Sequence, residues 1–188
     1  MAAPLEQILA DVTRCLENHS VPYFIFGAVA AGLWGEPRYT LDIDLVVRLK
    51  EEEFGGMIEG LRAEGLEVDP AAPAVLRRSG MLRVRGYGVA ADLVLGETEF
   101  DREALGRRRR EFLFGIPVYI ASPEDTILYK LISHRYQDLA DIEKIVLRQG
   151  SRLDLPYLRR WAAWLSDETG FENLTGLLEQ LLVSGGYK

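Results

Sequence analysis

The sequence predicts an α/β protein of the α+β kind, and three observations carry that expectation. Short apolar runs with two-residue alternation recur through the first two thirds of the 188-residue chain, bounded by glycine, proline or charged clusters. Stretches with helical apolar spacing open the chain and separate several of those runs. From Ser122 onward the spacing turns helical.

The opening stretch MAAPLEQILADVTRCLENHS carries acids and no basic leader, so it reads as an amphipathic helix and not as a secretory signal. Pro22 to Phe26 reads as a short buried strand, Gly27 as a turn, and Ala28 to Trp34 as a short helix that Gly35 and Pro37 break. In the next strand, Leu41, Ile43 and Leu45 share one face and Asp42 and Asp44 the other. A helix is predicted from about Glu51 to Glu64, then strands near Leu66, Met81 and Ala91. Within Gly88 to Gly96, Ala90, Asp92 and Val94 lie on one face of a strand and Val89, Ala91, Leu93 and Leu95 on the other.

Glu97, Glu99 and Asp101 follow a glycine in a polar stretch and read as a solvated turn. Arg107 to Phe114 and Pro117 to Ile120 read as strands around Gly115. Ser122-Pro123-Glu124-Asp125 is a helix start, with serine as N-cap, proline in the first turn and acids at the positive dipole end. Two helices are expected to about Arg148, another over Leu153 to Leu165 and a last one near Phe171 to Leu182. The expected organisation is a core over residues 1–121 with a helical region, 122–188, packed on it. Trp161 and Trp164 with Leu158 and Leu165 form a helical stripe whose expected use is core packing.

Composition narrows the function. A net charge of -7 argues against a protein that coats nucleic acid without specificity. Arg77, Arg78, Arg83 and Arg85 form one basic cluster and Arg107 to Arg110 another. Either would suit guiding an RNA acceptor, but with no aromatic interleaving the expected use is pairing with surface acids. The single cysteine, Cys15, excludes an internal disulfide and agrees with a reducing, cytoplasmic setting. Two histidines, His19 and His134, make a zinc site improbable. No apolar run approaches the roughly 20 residues a membrane span needs.

Chemistry concentrates in the acids. Asp42 and Asp44 would carry two like charges inside an apolar strand, a cost that a divalent cation removes. Oxygen-only ligands favour Mg²⁺, with Mn²⁺ as the substitute. The bland alternative is the solvated face of an edge strand. Strand, glycine and helix in that order leave free backbone N–H groups at a helix end suited to a triphosphate. Two-metal chemistry needs a third carboxylate. Asp92, again an acid in an apolar strand, is the choice.

Gly27, Gly35, Arg38, Thr40, Asp42 and Asp44 spell G-x7-G-x2-R-x-T-x-D-x-D. This pattern resembles the signature of the DNA polymerase β-type nucleotidyltransferase superfamily, and the nearest branch is similar to the AbiEii-like toxins of bacterial toxin–antitoxin systems. A second block, SPEDTILYKLISHRYQDLADI, carries Lys130, Arg135, Asp138 and Asp141 in the same branch's order. The phosphate turn departs from the usual Gly-Gly or Gly-Ser by reading Gly27-Ala28, and Gln137 stands where a basic residue is common.

The resemblance implies a mixed sheet flanked by helices and a transferase that moves a nucleoside monophosphate from an NTP to an acceptor hydroxyl. Asp42, Asp44 and Asp92 would be the catalytic and metal-binding acids. Gly27, Ala28, Arg38, Thr40, Lys130, Arg135 and Asp138 would serve the nucleotide, although Arg38 is equally well read as an ion-pair partner of the aspartates. Asp138 and Asp141 read either as orienting these basic residues or as an exposed helix face with salt bridges. RNA such as tRNA, a protein or a small molecule such as an aminoglycoside would be the acceptor, and a cognate antitoxin a partner. A nucleotide-binding module without turnover is the main alternative. A phosphohydrolase or glycosyltransferase with the same paired acids ranks below both.

Overall fold

The computed structural model describes residues 3–187. The chain forms two compact units: one contains the chain up to Ile25 together with Thr40–Ile120, the other Phe26–Tyr39 together with the chain from Ala121. Phe26–Tyr39, which its place in the sequence assigned to the core, belongs to the second unit.

The first unit is built on a seven-stranded mixed sheet. Its strands are β1 (Tyr23–Phe26), β2 (Asp42–Val47), β3 (Glu67–Val68), β4 (Met81–Gly86), β5 (Val89–Leu95), β6 (Arg109–Leu113) and β7 (Ile116–Ile120), in the spatial order β3-β4-β5-β2-β1-β7-β6. β2 runs parallel to β5 and β1 parallel to β7, while the β3/β4, β4/β5 and β6/β7 pairs are antiparallel. The alternation in β2 holds over its first four residues, with Ile43 and Leu45 buried and Asp42 and Asp44 half-buried, but Leu41 precedes the strand and is exposed, and Val46 and Val47 are both buried.

Helix α1 (Pro4–Asn18) starts with proline in its first turn and with the Glu6 carboxylate accepting the Ala3 N–H. Its buried stripe of Ile8, Leu9, Val12, Cys15 and Leu16 has helical spacing, and the helix packs against β2, β4 and β5. The helix after β2, α3 (Phe54–Ala63), packs against α1. Two helices of this unit depart from the sequence reading. One is α4 (Ala72–Ser79), closed by a left-handed Gly80. The other is α5 (Glu99–Arg107). The stretch Glu97 to Asp101 is therefore a helix start and not a turn. Thr98 accepts the Asp101 N–H, and the Asp101 carboxylate takes both the Thr98 N–H and its hydroxyl. That use removes Asp101 as a site carboxylate, and α5 absorbs Arg107, so β6 begins at Arg109.

The second unit is helical: α2 (Gly27–Trp34), α6 (Pro123–Ser133), α7 (Tyr136–Gln149), α8 (Leu155–Thr169) and α9 (Leu174–Ser184). Helix α2 is tied to it by polar contacts at its C-terminal end. The Trp34 indole donates to the Ala121 carbonyl at 2.8 Å, and Gln149 and Arg148 donate to the carbonyls of Trp34 and Gly35 at 2.7 and 2.6 Å. Gly35 favours this close approach, since a Cβ would stand 3.0 Å from the Ile145 backbone nitrogen. The predicted N-cap of α6 is present: Ser122 accepts from the Asp125 N–H. On α8, Leu158, Trp161 and Leu165 are buried, in keeping with core packing. No described helix is long and apolar enough to cross a membrane.

Candidate active site

Strand register places the acids. Asp44 is the register partner of Asp92, and Asp42 that of Ala90. Partners across a parallel pair point to the same face, so Asp42, Asp44 and Asp92 share one face of the sheet. The Thr40 hydroxyl donates to the Asp42 carboxylate at 2.7 Å and fixes its orientation.

The acids converge on a cationic side chain that composition had grouped with other arginines. Arg83 on β4 is the antiparallel register partner of Asp92. Its Nε and one terminal nitrogen donate to the two Asp92 oxygens, each at 2.8 Å. The same terminal nitrogen lies 3.6 Å from an Asp42 oxygen. The hydrogen bonds to Asp92, then its charge, and then the charges of Asp42 and Asp44 push the Arg83 pKa further up. Beside them opens a cleft of about 350 Å³, lined among others by Leu41, Asp42, Glu67, Arg83, Arg85 and Val89.

The donor set suits a hard divalent ion, being oxygen-only and collected on one face. It is not preassembled as a cage: among the described residues no three acidic, histidine or cysteine side chains are grouped closely enough to hold a metal. Arg83 and Thr40 hold two of the carboxylates instead.

The remaining candidates lie in the helical unit. Gly27 has φ of +67°, a left-handed conformation that favours glycine, and it opens α2 directly before Ala28. Lys130 on α6 is 3% exposed, and its Nζ lies 2.8 Å from Asp138 and 2.7 Å from Asp141 on α7. Arg38 pairs with Asp141 at 3.1 Å, so it is anchored to the second block's acid. Arg135 and the Ser133 hydroxyl both donate to Asp138 at 2.9 Å. Asp138 and Asp141 are buried, which replaces the reading of an exposed helix face with salt bridges. Lys130 and the two acids also sit on successive helices, since α6 stops at His134 in a left-handed conformation. Burial pushes the Asp138 pKa up, but hydrogen bonds from Lys130, Arg135 and Ser133 and the Lys130 charge outweigh it and hold the carboxyl down at about 2.

The arginine clusters divide. Arg77 pairs with the surface acid Glu51 at 2.5 Å, as expected. Arg108 stacks 4.6 Å from the centre of the Tyr119 ring and Arg110 lies 5.7 Å from it, so the second cluster does have an aromatic partner.

No family model matches the chain, and no curated protein matches it. Solved structures do. The architecture is that of a nucleotidyltransferase fold, with a mixed sheet flanked by helices and a helical C-terminal region. Similar to it is the solution structure of the antibiotic-resistance factor ANT(2'')-Ia, at 14% identity and TM-score 0.59, covering 89% of this chain and 100% of that one. The crystal structure of ANT(2'')-Ia with adenylyl-2''-tobramycin is 15% identical with TM-score 0.52, covering 93% of this chain and 94% of the other.

Proposed function

We propose that this chain is a metal-dependent nucleotidyltransferase that moves a nucleoside monophosphate from an NTP to an acceptor hydroxyl and releases pyrophosphate. The observation that carries the reading is the convergence of Asp42 and Asp92 on one cationic group, with Asp44 in register beside Asp92, on a nucleotidyltransferase fold. Asp42, Asp44 and Asp92 would hold Mg²⁺, or Mn²⁺ in its place. Divalent ions bound there would supply Lewis-acid activation of the acceptor hydroxyl and neutralise triphosphate charge.

The protein's own groups do the positioning. Thr40 aims the Asp42 carboxylate. Asp92, with its side chain only 14% exposed, is the acceptor for the hydroxyl proton as the oxygen attacks the α-phosphate. The left-handed Gly27 turn and the first amides of α2, from Ala28 on, receive the β- and γ-phosphates. Lys130 is fully engaged by Asp138 and Asp141, so its part is to fix the acid that holds Arg38 at the far end of the segment opening at Gly27. Arg135, with a side chain 79% exposed, is the most open basic residue of this set.

The acceptor is RNA such as tRNA, a protein, or a small molecule. The similarity of the sequence blocks to toxin nucleotidyltransferases supports a cytoplasmic toxin with a cognate antitoxin. The relative solved with adenylyl-2''-tobramycin supports an aminoglycoside-like acceptor. The test is to incubate the protein with each α-labelled NTP, Mg²⁺ and, separately, total RNA, lysate protein and an aminoglycoside panel, alongside Asp42→Asn and Asp92→Asn. Label in one acceptor class, lost in both variants, identifies acceptor and site together. NTP binding without pyrophosphate release marks a nucleotide-binding module instead.

A further inference from the structure

The geometry points to Arg83 as a built-in counter-cation that competes with divalent metal for Asp92 and Asp42, so that loading the site requires the guanidinium to leave. This rests on the metal-dependent reading of the acidic face and adds the step by which that face becomes available.

Three features carry it. First, occupancy: Arg83 takes both oxygens of Asp92, each at 2.8 Å, and the nitrogen on one of them also faces Asp42 at 3.6 Å. A dication placed between these carboxylates meets a fixed positive charge on the same oxygens, so the two cations exclude each other. Second, need: Asp42, Asp44 and Asp92 crowd one face of two adjacent strands, and without a cation their mutual repulsion would work against the β2/β5 pairing. Arg83 supplies that cation from the neighbouring strand in a two-pronged geometry that lysine cannot reproduce.

Third, release. The Arg83 side chain is 43% exposed, whereas Lys130, a cation also held by two acids, is 3% exposed. Lys130 is locked in place by its surroundings; Arg83 is held by its ion pairs and can swing into solvent. The adjoining cleft offers a destination. Glu67 lines that cleft, and as the register partner of Arg85 on β3 it shares the face of Arg83. Its carboxylate, on the strand next to that of Arg83 and opposite Arg85, gives the displaced guanidinium an acidic neighbour two strands from Asp92.

The test is Mn²⁺ binding, read as loss of the free-ion electron paramagnetic resonance signal, without nucleotide, for wild type, Arg83→Gln, Arg83→Lys and Asp42→Asn. Arg83→Gln is expected to bind Mn²⁺ about tenfold more tightly than wild type, a gain set by a charge-assisted two-pronged contact discounted for its exposure. Arg83→Lys should fall between them. In chelator, Arg83→Gln should melt below wild type, and saturating Mn²⁺ should close that gap. If Arg83→Gln does not fold by circular dichroism, the lysine variant decides. Binding by Arg83→Gln no tighter than wild type, with wild-type binding abolished by Asp42→Asn, overturns the competition and leaves the metal reading standing. Absence of binding by every variant at millimolar Mn²⁺ overturns the metal reading and the competition with it.

Discussion

Asp44 on β2 and Asp92 on β5 are register partners on adjacent parallel strands, and that pairing turns a two-residue motif and a distant acid into one constellation. If these acids serve the transfer chemistry, Asp44→Asn and Asp92→Asn should each lower nucleotidyl transfer by about 10²-fold or more, the scale on which removal of a charge-stabilising group is felt. Asp44→Asn removes like-charge crowding, so folding stability should shift by no more than about 1 kcal/mol, whereas Asp92→Asn also gives up the two-pronged Arg83 contact and should cost about 1 to 3 kcal/mol. Pyrophosphate release and urea unfolding measure the two effects separately. A loss of stability in step with activity would mark these acids as structural.

Lys130 is buried between two carboxylates. Lys130→Met should leave two buried acids short of their cation and cost about 3 to 5 kcal/mol, the range for breaking a buried pair from one side. The triple variant Lys130→Met, Asp138→Asn, Asp141→Asn should recover part of that loss in equilibrium urea unfolding. Recovery would show that the network's cost lies in the uncompensated charge.

Asp138 makes the acid limb of the stability curve steep. Its carboxyl is held at about 2, below the ordinary 3.8, so its contribution is complete above the unfolded-state value and lost as pH falls from about 4 to about 2. The shift corresponds to about 2 kcal/mol. Wild type should therefore lose stability over that window by about this amount more than Asp138→Asn, even though the variant starts less stable near neutrality. Denaturant titrations at stepped pH would show whether the two curves approach each other in acid.

Cys15 is buried, and burial first, then the Glu64 charge, raises its thiol to about 11. At pH 8 the native thiol should react with a disulfide reagent at least 10²-fold more slowly than the unfolded chain, since both thiolate fraction and access are reduced. Stopped-flow with and without denaturant reads this directly. Fast labelling of the native protein would mean that α1 opens locally.

The apolar-acid alternation of β2 and β5 was legible because a pleated strand puts every second residue on one face, and Asp42 to Leu45 obeys that rule. The position of Arg83 was also encoded, though in register and not in composition. The tight Tyr87-Gly88 connection pairs Gly86 with Val89, and continuing that antiparallel ladder sets Arg83 opposite Asp92. Counting arginines hid what counting along the hairpin would have shown. Helix α5 had a readable start in Thr98 and Asp101, obscured by the acids around it, whereas α4 buries only Ala72 and Leu76 and leaves little periodic signal. The burial of Lys130, Asp138 and Asp141 had no local signature. It depends on tertiary partners such as Arg38, 103 residues from Asp141.

The assignment of Phe26–Tyr39 to the helical unit bears on how the polypeptide matures. A ribosome delivers Trp34 well before Ala121, whose carbonyl receives the indole hydrogen, and before Gln149 and Arg148, which satisfy the end of α2. Until those residues emerge, the contacts that tie the end of α2 into its unit cannot form. A gene fragment stopping at residue 121 would keep the Ala121 carbonyl but lose Arg148 and Gln149, the donors to the carbonyls at the end of α2. Nature or the engineer must therefore inherit both stretches together, and a clean modular exchange of the C-terminal helices is closed off by this early excursion of the chain.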